Sequence, residues 1–125
     1  MKAQTQTAID KMVAAAKSDE QLARRGERLT AVVKLSVDDA YWLLHITNGQ
    51  LVKCETGPVV MPSYTFSIGT SETEWHQFWQ PVPPPGSQDL FALLKRRVLQ
   101  LDGDLHPLMS HLFYFKFLLA APREN

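Results

Sequence analysis

The spacing of apolar positions changes three times along the chain. In the first segment Ile9, Met12, Val13 and Ala16 recur at helical intervals and form one narrow stripe on an otherwise polar helix. Ser18 to Gln21, "SDEQ", reads as a capping box, with the Ser oxygen taking an amide three residues on while Gln reaches back. It opens a second short helix through Leu22 and Ala23 that ends near Gly26. The polarity of both helices predicts that they lie on the surface or against a partner. From Thr30 the period becomes two: Val33, Leu35 and Val37 face one way, Lys34 and Ser36 the other. Asp38-Asp39 marks a tight turn, Trp42, Leu44 and Ile46 share one face of a second strand, and Asn48-Gly49 is a strong hairpin signal leading into a third, Leu51 to Glu55. Gly57, Pro58 and Pro62 break the pattern before a fourth strand with Tyr64, Phe66 and Ile68 on one side. These signals predict an antiparallel four-stranded meander with one polar and one apolar face.

After Gly69 the period returns to that of a helix. A second capping box, Ser71 to Glu74, precedes Trp75, Phe78 and Trp79 at i, i+3 and i+4. "QPVPPPGS" is a stiff, extended connector, because proline fixes φ. The next helix carries Leu90, Phe91, Leu93 and Leu94 and ends in Lys95, Arg96 and Arg97, where the helix dipole favours cations. "VLQLDG" reads as a short fifth strand, and Asp104 as the cap of a closing helix. That helix is apolar nearly all round, with Leu105, Leu108, Met109, Leu112, Phe113, Phe115, Phe117, Leu118 and Leu119. Such a helix has to be covered on every side. In a small domain the sheet covers one side, which leaves the other for a ligand or a second subunit.

Length and charge narrow the choices. With 125 residues a single domain spanning 1–125 is expected: helices in 1–28, the meander in 29–69, and helices, fifth strand and closing helix in 70–125. Thirteen basic residues balance thirteen acidic ones, poor material for a nucleic-acid binder that must displace counterions. The lone Cys54 excludes an internal disulfide and a thiolate metal cage and fits a reducing compartment. The amino terminus lacks the apolar run of a signal peptide, and the carboxyl terminus lacks a prenylation or peroxisomal address, so a cytoplasmic location is expected. No integral membrane segment is expected either, since His111 and Lys116 break the closing segment into runs far shorter than the roughly 18–20 apolar residues a span needs.

Catalysis finds little support in the motifs. There is no glycine-rich phosphate loop and no serine elbow. His45, His76, His106 and His111 lack metal-ligand spacing, so neither a metal nor another cofactor is expected. Asp102, Asp104 and His106 admit two readings: a carboxylate orienting a general base, or a turn and a helix cap. The second needs nothing beyond the usual use of Asp at such positions.

"YTFSIGTSETEWHQFW" followed by "VLQLDGDLHPLMSHLFYF" resembles the sterol carrier protein family in its order of elements over residues 29 to 119. Gly103-Asp104 match that family's last turn and Asn48-Gly49 the turn between its second and third strands, while "QPVPPPGS" departs from its usual shorter link. The resemblance implies an α+β fold: a five-stranded, mainly antiparallel sheet covered on one face by helices, with an apolar tunnel between. It also implies non-catalytic binding or transfer of a fatty acyl chain, sterol, acyl-CoA or similar lipid. Trp75, Phe78, Trp79, Phe91, Leu94, Met109, Leu112, Phe113 and Phe117 are the residues expected to line the cavity. Two alternatives stand beside this reading. One is an accessory subunit that forms a homodimer or docks on a partner enzyme through the apolar helix; the other is a small cone-shaped enzyme using Asp104 with His106.

Overall fold

The computed structural model describes residues 2–58, 63–87 and 90–122, with the side chains of 2–4 and of Phe91 outside the described part. Two helices come first, α1 (Lys2–Ser18) and α2 (Glu20–Arg25). Strands β1 (Thr30–Val37), β2 (Ala40–Thr47), β3 (Gln50–Thr56) and β4 (Phe66–Thr70) follow. Then come α3 (Glu72–Phe78), α4 (Leu90–Lys95), β5 (Gln100–Gly103), α5 (His106–Ser110) and α6 (Leu112–Ala120).

The expected four-stranded meander is corrected to a mixed sheet of order β3-β2-β1-β4-β5. β1, β2 and β3 form the antiparallel meander, but β4 lies on the other edge of β1 and runs parallel to it, pairing Leu35 with Ile68. A parallel neighbour needs a crossover rather than a hairpin, and the chain makes it between the end of β3 at Thr56 and the start of β4 at Phe66. What the crossover gains is a partner for the second edge of β1, whose Val33, Leu35 and Val37 are all buried. β5 then closes the sheet antiparallel to β4. Three of the four pairings are antiparallel, as the sequence pattern implies.

The hairpin and the small turn form as their residues dictate. Asn48 and Gly49 both have positive φ, 51° and 79°, which is the two-residue turn that matches the twist of the flanking strands. Asp38 takes φ of 53° at the β1–β2 turn, a conformation that Asp tolerates better than most residues. Tyr64 leaves the apolar face expected for it. β4 begins only at Phe66, because Thr65 ends the ladder: its backbone N–H donates to Val32 O (2.7 Å) and its hydroxyl oxygen accepts from Val32 N–H (3.1 Å). The Tyr64 ring lies instead under the Lys34 ammonium, which also stands over Tyr41.

One apolar core fills the space between the sheet and the helices. Its sheet side is Val33, Leu35, Val37, Trp42, Leu44, Ile46, Phe66 and Ile68, and α1 contributes Ile9, Met12 and Ala16. Thus the narrow stripe of α1 is a packing face. α3 adds Trp75 and Phe78, its C-cap Trp79 joins them, and α6 adds Tyr114, Phe115, Leu118 and Leu119. Trp75 and Trp79 stack at 5.4 Å, and Phe78 meets Trp75 edge-on at 5.6 Å.

Two capping expectations change in detail. Asp19, not Ser18, caps α2: its Oδ1 accepts from the amides of Gln21 and Leu22, while the Ser18 hydroxyl donates back to Ala14 O. Ser71 caps α3 as expected by accepting from Glu74 N, but the Glu74 carboxylate pairs with Arg96 instead of completing the box. The closing helix is not continuous. It breaks at His111 (φ −126°, ψ 43°), where the imidazole reaches Glu27 O at 3.2 Å, so that α5 and α6 can each meet the core at their own angle.

Candidate functional site

α1 packs against β3 and α6, Thr5 in its first turn reaches α3, and the turns around Thr5 separate two clefts. The larger, about 840 Å³, sits at the β1–β2 turn end of the sheet, where Val37, Tyr41 and Trp42 meet Thr5, Gln6 and Glu72. Asp38, Asp39, Ala40, Thr56, Gly57 and Pro58 form its rim. This volume falls within the usual range for small-molecule sites, roughly 300–1,000 Å³. The smaller cleft, about 390 Å³, lies on the other side of α1 between Thr7, Ala8, Lys11, His76, Trp79 and Pro122. A third, of about 690 Å³, follows the polar seam of Ser36, Thr70, Ser71 and Glu74.

Thr5 holds α1 down between the first two clefts. Its hydroxyl donates to Glu72 Oε2 at 2.7 Å and lies 3.1 Å from His76 Nε2. Glu72 and His76 are one turn apart on α3, so a single helix face presents both groups to Thr5. Glu72 Oε2 stands 3.9 Å from the same imidazole nitrogen, on the Thr5 side of the ring. A nucleophile–base–acid relay would need the carboxylate behind the far nitrogen, so this trio is a hydrogen-bonded latch. Beside it the Trp42 indole donates to Gln6 Oε1 at 3.3 Å, a second polar tie between α1 and the sheet.

Behind the latch the aromatic wall is fixed by its polar atoms. Trp75 Nε1 donates to Ser36 O (2.9 Å) and Trp79 Nε1 to Leu119 O (2.9 Å), so the stacked pair bridges β1 to α6. Cys54 faces the same interior opposite Leu44, and burial pushes its thiol pKa up, with the Asp10 carboxylate adding to the effect.

The nine residues expected to line a cavity fall in two places. Trp75, Phe78 and Trp79 are in the closed core, and only Trp79 reaches one of the three clefts. Leu112 is half-buried, whereas Leu94 (39% exposed), Met109 (65%), Phe113 (63%) and Phe117 (46%) face solvent. Phe91 belongs to α4, but its side chain lies outside the described part. The sequence reading missed Thr5, Gln6 and Glu72. Thr5 carried a usable signal: it extends the α1 stripe one turn before Ile9, a hydroxyl where the pattern calls for an apolar group.

The Asp104–His106 pair is occupied structurally. Asp104 Oδ1 accepts from the His106 backbone amide (3.1 Å), and the His106 ring lies 3.2 Å from Ser110 Oγ. Gly103, with φ of 92°, shapes the turn before it. Among the described residues no group of three or more His, Cys, Asp or Glu is placed to hold a metal ion. No helix of the described residues is long and apolar enough to cross a membrane.

No protein-family model matches the sequence, and no curated protein matches it. Solved structures do match the fold. A sterol carrier protein 2 aligns over 98% of this chain and 95% of its own, with TM-score 0.71 and 16% identity. Sterol carrier protein 2-like 2 from Aedes aegypti aligns over 89% and 94%, with TM-score 0.61 and 16% identity. A Thermus thermophilus protein described as possibly a sterol carrier protein covers 100% and 90%, at 0.60 and 12%. A stereoselective inverting sec-alkylsulfatase from Pseudomonas sp. matches 74% of this chain with only 14% of its own length, at 0.53 and 17%. The chain therefore has the sterol carrier protein fold, an α+β sheet with helices over one face.

Proposed function

We propose that this protein binds an apolar ligand without chemical conversion, in the cleft between the first turns of α1 and the end of the sheet. The single observation that carries the reading is that cleft of about 840 Å³ at the β1–β2 turn end of a sterol-carrier-type sheet, beside the core residues Val37 and Trp42 and bordered by Tyr41 on the other face. Burying an alkyl chain there gains about 0.8 kcal/mol per methylene before ordering costs. The ligand is a lipid: a fatty acyl chain, a sterol or a molecule of that kind. Val37 and Trp42 give the cleft its apolar wall on the sheet, and the Thr5 latch controls how far α1 lifts to admit the ligand. The chain acts as a carrier or binding module.

Delipidated protein titrated with a fluorescent fatty acid and a fluorescent sterol should give saturable binding to at least one. Ala40→Trp, at an exposed rim position, should weaken that binding about tenfold or more while circular dichroism stays unchanged. Absence of saturable binding to both probes would end the reading.

A further inference from the structure

Three apolar side chains of α5 and α6 stand clear of the core on successive turns: Met109, Phe113 and Phe117. The opposite flank is anchored by Leu108, Tyr114, Phe115, Leu118 and Leu119, all buried, so the helix pair cannot roll to hide this ridge. Cations border it. The Arg25 guanidinium lies 4.6 Å over the Phe117 ring, and Gly26 is packed against the Tyr114 ring, which places the end of α2 alongside α6. Residues 24–28 and Lys116 together supply Arg24, Arg25, Arg28 and Lys116 against the single carboxylate of Glu27, in a chain whose net charge is zero.

We propose that this ridge docks the protein on the surface of an anionic lipid bilayer. Apolar side chains on one flank of a helix, with Arg and Lys beside them, suit a helix lying in the interface with its apolar groups below the headgroups and its cations among the phosphates. Shape favours a bilayer over a protein groove, because protruding side chains insert into a deformable medium without needing a matching hollow. Charge disfavours a second copy, since an isologous contact would set the Arg25 and Lys116 borders against each other. The surface goes beyond the proposed ligand cleft and does not depend on it: the ridge residues line none of the three clefts.

Flotation of the full chain with vesicles of phosphatidylcholine alone, and of phosphatidylcholine mixed with phosphatidylglycerol, tests the proposal. Binding to the anionic vesicles is expected, weakening as salt rises. The double variant Met109→Gln, Phe113→Gln keeps helix-forming residues at two exposed positions and should lose about tenfold or more in binding with an unchanged melting temperature. Arg25→Gln with Lys116→Gln should lose about fivefold per charge removed, on anionic vesicles only. No flotation with either vesicle, or equal flotation by wild type and the Met109/Phe113 variant, overturns the proposal. So does a concentration-dependent dimer that the same variant abolishes, which would assign the ridge to a second copy.

Discussion

The Tyr114 hydroxyl donates to Gly49 O across 3.0 Å in a fully buried position, tying α6 to the tip of the β2–β3 hairpin. Gly26 completes the junction. A Cβ on Gly26 would lie 2.5 Å from Tyr114 Cδ1 and 2.8 Å from Gly49 Cα, and one on Gly49 would lie 2.6 Å from Ala23 O. Three elements distant in sequence thus meet where only glycine leaves room for a tyrosine ring.

Gly26→Ala should therefore destabilise the fold by about 1–3 kcal/mol, the usual cost of overpacking a close contact. Tyr114→Phe keeps the ring but strands the Gly49 carbonyl, at a cost of about 1–3 kcal/mol. Denaturant unfolding measures both. A loss under about half a kcal/mol in either variant would mean that the junction relaxes freely.

Burial raises the Tyr114 pKa to about 12 from its ordinary value of 10.0. The folded state holds the phenol proton more tightly than the unfolded chain, so the associated stability is fully present below pH 10 and is lost as pH rises through about 12. The stability advantage of wild type over Tyr114→Phe should shrink across that window. An advantage that stayed constant to pH 12 would contradict the buried, protonated phenol.

The caps of α2 and α3 offer a paired comparison. Asp19→Ala and Ser71→Ala should each cost about 0.5–2 kcal/mol, because each removes an acceptor from amides of a first helical turn. Ser18→Ala should be close to neutral, its hydroxyl being bonded only to Ala14 O in the preceding helix. The reverse order for Asp19 and Ser18 would restore the capping box that the sequence alone implies.

Thr5→Val removes the hydroxyl that joins α1 to Glu72 and His76 while keeping the side-chain shape. If α1 is the door of the ligand cleft, release of a bound fluorescent lipid in stopped-flow should accelerate several-fold. Stability should fall by no more than about 1–3 kcal/mol, the cost of leaving buried polar groups unpaired. Unchanged release would place the ligand's route elsewhere.

Much of the fold was legible in periodicity. The order of helices and strands, the Asn48-Gly49 hairpin, the Ser71 cap and the apolar faces of β1 and β2 all follow from spacing that local backbone geometry enforces. Sequence could not place β4 beside β1, because a run of alternating residues carries no label for its neighbour and the proline-broken crossover looks like a hairpin loop. The candidate site was less legible still. Thr5 and Glu72 are 67 positions apart and meet only because α1 packs against β3 and α6, which brings its first turn to the start of α3.

The closing segment shows where the division lies. Its composition alone determined that it could not cross a bilayer and that it had to bury apolar surface, since Lys116 and His111 interrupt a run otherwise rich in Leu and Phe. Only the tertiary structure decided which side is buried. The break at His111 and the Tyr114–Gly49 bond set the rotation of α6, turning Tyr114, Phe115, Leu118 and Leu119 inward and leaving Phe113 and Phe117 outside, in line with the exposed Met109 of α5. A helix apolar on all sides has no preferred face of its own. The neighbours it packs against supply one.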